Sequence, residues 1–302
     1  MSKIAFISSN DRKYNIERAL SLIKGEIISG LRGAKSVVVK PNCVHEDIQL
    51  SSTHVDALDA LLNFISPYVK SQIILAEGTG EGNTITAFEN YGYFSLQEKY
   101  DLALVDLNTD EFETIEILDK KNNKIRAQFS KTLLNSDYLI SIALPKTHNE
   151  VIYTGAIKNV AVGGLIKPYF GLSAKLGMNF SKLKDNKSLI HQGTPALNEN
   201  IATLFEHIKL KLSVLDGFEC MEGEGPVHGD MVPAHYSIVS SDPLAADWLA
   251  CNLMNIKIED IGYLSLLGAG DINNHFIIGD DWREHIVDFK KPKDFERIRK
   301  WR

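Results

Sequence analysis

Lysine, histidine and asparagine side chains follow one apolar segment of the chain at close spacing. Residues 137–143 (DYLISIA) form a short, nearly continuous apolar run of the kind that makes a buried strand in a parallel sheet. Lys146 and His148 come directly after this run, and Lys158 lies in the next segment. Open α/β sheets bind ligands at the carboxyl ends of their strands. The spacing therefore predicts a catalytic group in which Lys146 and Lys158 bind or polarise an anion and His148 is a general acid or base.

Other polar residues and glycines at strand ends and helix starts are predicted to bind the substrate. Residues 37–39 (VVV) precede a proline that stops the strand and holds its polar neighbours at the sheet edge. Glycines in residues 76–82 and 163–164 let a ligand approach the backbone. The predicted substrate-binding residues from these segments are Lys40, Asn42, Gly78, Thr154, Asn159, Gly163 and Gly164.

Carboxylates at several predicted loops suggest a divalent metal. Carboxylate oxygens on converging loops suit magnesium, calcium or manganese. Asp216-Gly217 is also typical of a turn and Asp242-Pro243 of a helix cap, so both alternatives stay open. The candidate metal ligands are Glu77, Asp216, Glu222, Glu224 and Asp242.

Short apolar runs alternate with helical patterns, which predicts an α/β fold with mostly parallel sheets flanked by helices. Residues 112–118 and 124–129 predict a small β-hairpin inserted in this pattern. No linker interrupts the chain, so we expect one domain of two packed lobes, roughly 1–144 and 145–302, with the cleft between them. The predicted strands are residues 4–8, 36–40, 72–76, 102–107, 138–144, 212–215 and 236–239. The predicted helices are residues 15–28, 54–65, 84–100, 195–208 and 243–254.

The composition of the 302-residue chain excludes several classes of protein. A net charge of −6 argues against nucleic acid or an anionic membrane as a partner. The three cysteines are too few for a four-thiolate cluster, so we expect no intrinsic four-iron cluster, and they fit a reducing compartment. We find neither a signal segment nor an apolar stretch of membrane-spanning length. These features predict a cytoplasmic protein that binds a small anion.

Several motifs occur in one order that resembles the family catalogued as domain of unknown function 362, over about residues 37–270. Many members of that family carry an appended ferredoxin-like module with four-cysteine motifs, which implies redox chemistry. This chain lacks those cysteines, so the resemblance implies such a role only with a ferredoxin-like partner that supplies the cluster. The motifs are Lys40-Pro41-Asn42, Ala76-Glu77-Gly78, Pro145-Lys146-Thr147-His148, Thr154-Gly155-Ala156-Ile157-Lys158-Asn159, Asp216-Gly217, Glu224-Gly225-Pro226 and the segment from Ser241 to Asp247.

A more distant resemblance is to the nickel-pincer lactate racemase family. There, a strand leads to a loop with a histidine, then to a Gly-Gly and lysine segment, and then to a further histidine. In this chain the further histidine is His191, which the resemblance adds to the substrate-binding residues. That family's cofactor-linked lysine follows its glycine pair, whereas Lys158 precedes the pair here and Lys167 follows it. We therefore expect no covalent pincer cofactor.

Two functions remain open from the sequence. The first is an enzyme, with isomerase-like or oxidoreductase-related chemistry, that holds a carboxylate or phosphate substrate in the cleft. The second is a non-enzymatic accessory protein that carries a cofactor or electrons for an iron–sulfur partner. The sequence names neither the substrate nor a cofactor beyond the candidate divalent metal.

Overall fold

A computed structural model describes residues 2–168, 185–269 and 275–302. None of the helices in these ranges is long and apolar enough to cross a bilayer. The strands are β1 (Lys3–Ser8), β2 (Val37–Lys40), β3 (Ile73–Glu77), β4 (Leu102–Asp106), β5 (Phe112–Leu118), β6 (Lys124–Ser130), β7 (Tyr138–Ala143), β8 (Lys146–His148), β9 (Ile152–Thr154), β10 (Leu210–Glu222), β11 (Asp230–Ser240) and β12 (Phe276–Gly279).

The α-helices lie between these strands and after them. They are α1 (Arg12–Leu22), α2 (Lys24–Leu31), α3 (Val55–Ile65), α4 (Thr84–Asn90), α5 (Lys131–Leu134), α6 (Ala156–Gly163), α7 (Asn186–Leu189), α8 (Thr194–Glu206), α9 (Pro243–Leu253), α10 (Gly262–Leu266) and α11 (Phe295–Ile298).

One large sheet forms the centre of the fold, in the strand order β12-β1-β11-β10-β7-β2-β3-β4. Strands β10, β7, β2, β3 and β4 run parallel to one another, whereas β11 is antiparallel to both of its neighbours. The short β8 adds to the end of β10 and pairs with β9. The predicted α/β class with a mostly parallel sheet is therefore confirmed.

Apolar residues cover both faces of this sheet. In β1, Ile4 and Phe6 join one buried cluster, while Ala5 and Ile7 join the cluster on the opposite face. Strands that are buried on both faces need apolar residues at successive positions, which explains the continuous run at residues 37–39. The sheet continues across residue 144, since β7 pairs with β2 on one side and β10 on the other. The sheet therefore contains strands from both predicted lobes.

The inserted hairpin has the form that the sequence predicted. Strands β5 and β6 pair antiparallel as a separate two-stranded sheet. In the turn, the Asp119 carboxylate accepts hydrogen bonds from the backbone N–H groups of Lys121 and Asn123, and Asn122 adopts a φ of 61°. An asparagine tolerates this left-handed conformation better than most residues do.

Several element boundaries differ from the prediction. The predicted helix 15–28 is two helices that meet at Ile23, and the predicted helix 84–100 ends at Asn90 before a 3₁₀ helix at Tyr93–Glu98. Strand β10 runs through the predicted turn at Asp216-Gly217. A side chain at Gly217 would overlap the Tyr236 ring on β11, so the glycine permits close strand packing here.

Candidate active site

Loops at the carboxyl ends of β2, β3 and β8, together with α6, surround a cleft of about 420 Å³. The sequence predicted that polar residues from distant segments would meet at this sheet edge, and many of them do. The predicted site residues that line the cleft are Lys40, Asn42, Glu77, Gly78, His148, Thr154, Lys158, Asn159, Gly163, His191 and Glu224.

A buried ion pair lies at the end of β2 and β3. The Lys40 ammonium donates to Glu77 Oε2 at 2.5 Å, to the Pro41 carbonyl at 2.8 Å and to Asn159 Oδ1 at 3.4 Å. An ammonium has three donors, so the protein itself saturates Lys40. Burial raises the pKa of Glu77, whereas Lys40 opposes that effect. Gly163 is required beside this pair, because a side-chain Cβ there would lie 2.7 Å from Lys40 Nζ.

Two asparagines form an amide floor that connects the elements of the cleft. Asn42 Nδ2 donates to Asn159 Oδ1 at 3.2 Å, and Asn159 Nδ2 donates to the Lys40 carbonyl and the Ser141 hydroxyl. Because these amide groups already bond to the protein, the floor fixes the position of α6 against β2 and β7.

Lys146 lies behind this floor and does not line the cleft. Its Nζ donates to Asn42 Oδ1 at 2.6 Å and to the Ser51 carbonyl at 3.0 Å. Burial and the nearby charge of Lys158 lower the pKa of Lys146 to about 7. A neutral amine has two N–H groups, which match these two acceptors. Lys146 therefore does not face the substrate cleft as predicted, and it holds Asn42 in place from behind the floor.

Lys158, unlike Lys146, faces the cleft. It extends from α6 into the cleft, and within residues 2–168, 185–269 and 275–302 its ammonium forms no hydrogen bond or salt bridge. Burial lowers the pKa of Lys158 to about 8, and the negative charge of Glu150 only partly opposes this effect. The neighbouring Thr154 hydroxyl also lines the cleft and is buried without a hydrogen-bond partner among the described residues. A cation and a hydroxyl that have no partners among the described residues leave donors for a ligand.

His148 is buried in the wall of the cleft at 3% exposure. Its Nδ1 accepts a hydrogen bond from the Glu150 backbone N–H at 3.1 Å. Burial, Lys158 and His191 hold the pKa of His148 well below its ordinary value. The ring is therefore neutral at pH 7, and Nε2 carries the proton.

His191 forms the rim of the cleft together with Glu150. Its Nδ1 lies 2.5 Å from Glu150 Oε2. The hydrogen bond from His191 lowers the pKa of Glu150 despite partial burial. The carboxylate thus fixes the orientation of the His191 ring.

The start of α6 depends on Asp247, which the sequence placed only within a motif. Its carboxylate accepts hydrogen bonds from the backbone N–H groups of Ala156 and Ile157 at 2.7 and 3.0 Å, and from the Tyr153 hydroxyl at 3.1 Å. Burial raises the pKa of Asp247 to about 6. This long-range cap fixes the helix that carries Lys158 and Asn159.

Two lysines and a cysteine in the cleft were not among the predicted site residues. Lys187 Nζ donates to the Gly78 carbonyl, and Lys167 Nζ donates to the Gly80 carbonyl. Lys187 had no local signal, because its partner is 109 residues away, whereas Lys167 follows the glycine pair. Cys43 also lines the cleft, and burial raises the pKa of its thiol to about 11.

The five predicted metal ligands do not come together. Asp216 is buried and pairs with Arg12 away from the cleft, and Asp242 caps α9 through the Leu244 and Ala245 N–H groups. Glu222 and Glu224 accept backbone hydrogen bonds from Lys290 and Lys293. Glu77 bonds to Lys40. Among the described residues, no three His, Cys, Asp or Glu side chains are grouped as metal ligands.

Gly164 also differs from its predicted role. It does not line the cleft, because its Cα faces the Phe129 ring, which a side chain would displace. Gly78 does lie in the cleft, but a Cβ there would crowd Asn108 and the Lys187 ammonium at 2.9 and 3.0 Å. Both glycines therefore serve packing within the protein.

The buried lysines predict a pH-dependent stability. Burial lowers the pKa of Lys146 to about 7 and those of Lys158 and Lys187 to about 8 from 10.5. Between about pH 7 and about pH 8.5 the folded protein loses these protons while the unfolded chain keeps them, so the free energy of unfolding rises with pH. We expect the thermal midpoint of the unliganded protein to rise over this interval and the Lys158→Met variant to show a shallower rise. A midpoint that falls with pH in this interval would contradict the placement of the lysines.

The family model Domain of unknown function (DUF362) matches residues 37–252. The "Thylakoid-associated protein sll1697" of Synechocystis sp. (strain ATCC 27184 / PCC 6803 / Kazusa) is 22% identical over 237 residues, which are 78% of this chain and 63% of that protein. This chain therefore spans less than two thirds of that relative.

Two solved structures are similar in fold at low identity. The lactate racemase apoprotein from Thermoanaerobacterium thermosaccharolyticum gives a TM-score of 0.49 at 16% identity, covering 85% of this chain and 58% of that chain. A protein from Thermotoga maritima gives a TM-score of 0.48 at 17% identity, covering 82% and 60%. The first belongs to the family to which the sequence showed the more distant resemblance. Likenesses at this level carry no statement about activity.

Proposed function

Because the chain belongs to the family Domain of unknown function (DUF362), whose description names no activity, we propose a function from the cleft itself. The protein is an enzyme that binds a small anionic substrate, a carboxylate or a phosphate, and transfers a proton to or from it. Its three cysteines are buried free thiols, which supports a cytoplasmic location.

The observation that carries the proposal is the Lys158 ammonium. Burying a charge without a partner is costly, and most buried lysines form ion pairs. Lys158 is only 7% exposed, yet within the described ranges it forms no salt bridge or hydrogen bond and faces the cleft. An anionic group of a substrate would supply the missing partner.

Two neutral donors support an oxygen-rich ligand beside this cation. The buried Thr154 hydroxyl has no hydrogen-bond partner in the described part of the chain, and the neutral His148 ring carries its proton on Nε2. Carboxylate and phosphate oxygens accept hydrogen bonds from donors of both kinds. A hydrogen bond from a charged lysine to such an oxygen is shorter and stronger than one between neutral groups.

In the proposed reaction His148 donates its Nε2 proton to a substrate oxygen and then recovers it. The donating ring is neutral, so proton transfer leaves an imidazolate, and the nearby positive charge of Lys158 stabilises it until the proton returns. Lys146 is a positioning residue, since it holds Asn42 and through it Asn159.

A thermal-shift screen of small carboxylates and phosphates tests the proposal. A ligand at about 100 times its dissociation constant stabilises the folded protein by about 2.7 kcal/mol. We expect at least one member of the panel to raise the thermal midpoint. The Lys158→Met variant keeps most of the aliphatic stem, so it should fold with a similar midpoint and bind that anion at least about tenfold more weakly.

Lys209→Met is the matched control, because Lys209 is exposed and outside the cleft. It should bind the anion as tightly as the wild-type protein does. If Lys158→Met binds the anion as well as Lys209→Met, Lys158 does not anchor the substrate and the proposal fails.

A further inference from the structure

Two further lysines face the cleft near the loop that follows β3. Lys187 and Lys167 each donate one hydrogen bond, to the carbonyls of Gly78 and Gly80. An ammonium has three donors, so each retains two that the described residues do not use. The two backbone contacts hold both charged groups in place at the cleft wall.

This pair belongs to a different electrostatic environment from Lys158. The charged neighbours that act on Lys187 are Glu77, Lys40, Asp106 and Lys167. Lys158 instead interacts with Glu150 and with the groups around His148. Lys187 and Lys167 bond to the loop after β3, whereas Lys158 lies on α6, so cationic groups line two different walls of the cleft.

The wall around Lys187 contains an excess of buried positive charge. Within the described residues, Lys40 and Lys187 share the buried carboxylate of Glu77, which already bonds to Lys40 at 2.5 Å, whereas Asp106, which also acts on Lys187, is only half-buried. Glu81 also lines this wall, but its side chain is 62% exposed and therefore hydrated. The like charges of Lys40 and Lys167 add to burial in lowering the pKa of Lys187 to about 8. A second anionic group would relieve this repulsion.

We infer that the substrate carries two anionic groups, one bound by Lys158 and Thr154 and the other by Lys167 and Lys187. This inference rests on the proposed function and narrows its substrate class to dicarboxylates and phosphorylated carboxylates. A cleft of about 420 Å³ accommodates a molecule of this size.

Calorimetric titration of paired probes tests the inference. The pairs are glutarate with its monoamide and 3-phosphonopropionate with its carboxamide, which differ by one charge at nearly constant shape. In at least one pair, the probe with two anionic groups should bind the wild-type protein at least about tenfold more tightly than its amide. Lys167→Met and Lys187→Met should each reduce that ratio below about threefold and leave binding of the amide unchanged, while Lys158→Met weakens both members of the pair.

The outcomes separate the two proposals. If each amide binds as tightly as its parent probe with two anionic groups and Lys158→Met weakens both, the function stands and the two-anion inference is wrong. If the tenfold preference survives in both Lys167→Met and Lys187→Met, the inference is also wrong. If none of the four probes binds, neither proposal holds for these classes. Should Lys187→Met fail to fold, Lys167→Met alone decides, because the Lys167 side chain is only partly buried.

Discussion

Replacing Lys40 by methionine is expected to lower the free energy of unfolding by about 3 kcal/mol, within the range for breaking a buried ion pair. Both side chains of the Lys40–Glu77 pair are buried, at 0% and 2% exposure. Removing the ammonium leaves the buried Glu77 carboxylate with the Gly78 N–H and the more distant Lys187 as its partners in the described part of the chain. Equilibrium unfolding in urea measures the change.

Two variants control this prediction. The exposed pair of Lys124 and Glu116 should contribute little, so Lys124→Met should cost less than about 1 kcal/mol. The double variant Lys40→Met/Glu77→Leu removes both buried charges and should recover much of the stability lost by Lys40→Met alone. A Lys40→Met protein as stable as Lys124→Met would show that Glu77 is not a buried anion that depends on Lys40.

The Gly155→Ala variant is expected to lose about 3 kcal/mol or more, at the upper end of overpacking effects. A Cβ at this position would overlap the Tyr153 hydroxyl and the Asp247 carboxylate. Those groups form the network that caps α6, so relief of the overlap must disrupt buried hydrogen bonds as well as packing. Because α6 carries Lys158, the fraction that stays folded should also bind anions less tightly.

Gly25→Ala is the matched control for this substitution. Gly25 lies in the first turn of α2, and a Cβ there would meet no neighbouring atom within 4 Å. Alanine in a helix is favoured over glycine by about 0.5–1 kcal/mol, so this variant should be at least as stable as the wild-type protein. Equal stability of the two variants in urea would contradict the crowding at Gly155.

The meeting of distant residues in one cleft was predictable because strands that alternate with helices along the chain tend to run parallel. Apolar runs at residues 37–39 and 138–143 indicated buried parallel strands, and the carboxyl ends of such strands share one edge of the sheet. Polar residues after these runs, such as Lys40 and His148, therefore had to lie near one another.

The role of each lysine was not predictable, because it depends on contacts between residues far apart in the chain. Lys40, Lys146 and Lys158 follow similar sequence signals. The structure nevertheless places Lys40 in an ion pair and Lys146 behind the amide floor. Lys158, in contrast, faces the cleft. The spacing of residues along one segment does not show which carbonyl or carboxylate will meet an ammonium from another.

Local turn signals were misleading at Asp216-Gly217 for a related reason. The dipeptide is typical of turns, but tertiary packing overrides that preference in β10. Gly217 accommodates the Tyr236 ring, and Asp216 meets Arg12 from α1. These partners belong to other elements of the fold, so the local sequence does not reveal them.

A crystal structure of the protein with the tightest-binding anion from the screen tests the central claim most directly. The claim is that Lys158 anchors a substrate anion in the cleft. We expect an oxygen of the anion about 2.8 Å from Lys158 Nζ, with a second oxygen accepting the hydrogen bond of the Thr154 hydroxyl. An anion bound elsewhere, with Lys158 turned to Glu150 and Thr154 still without a partner, would contradict the claim.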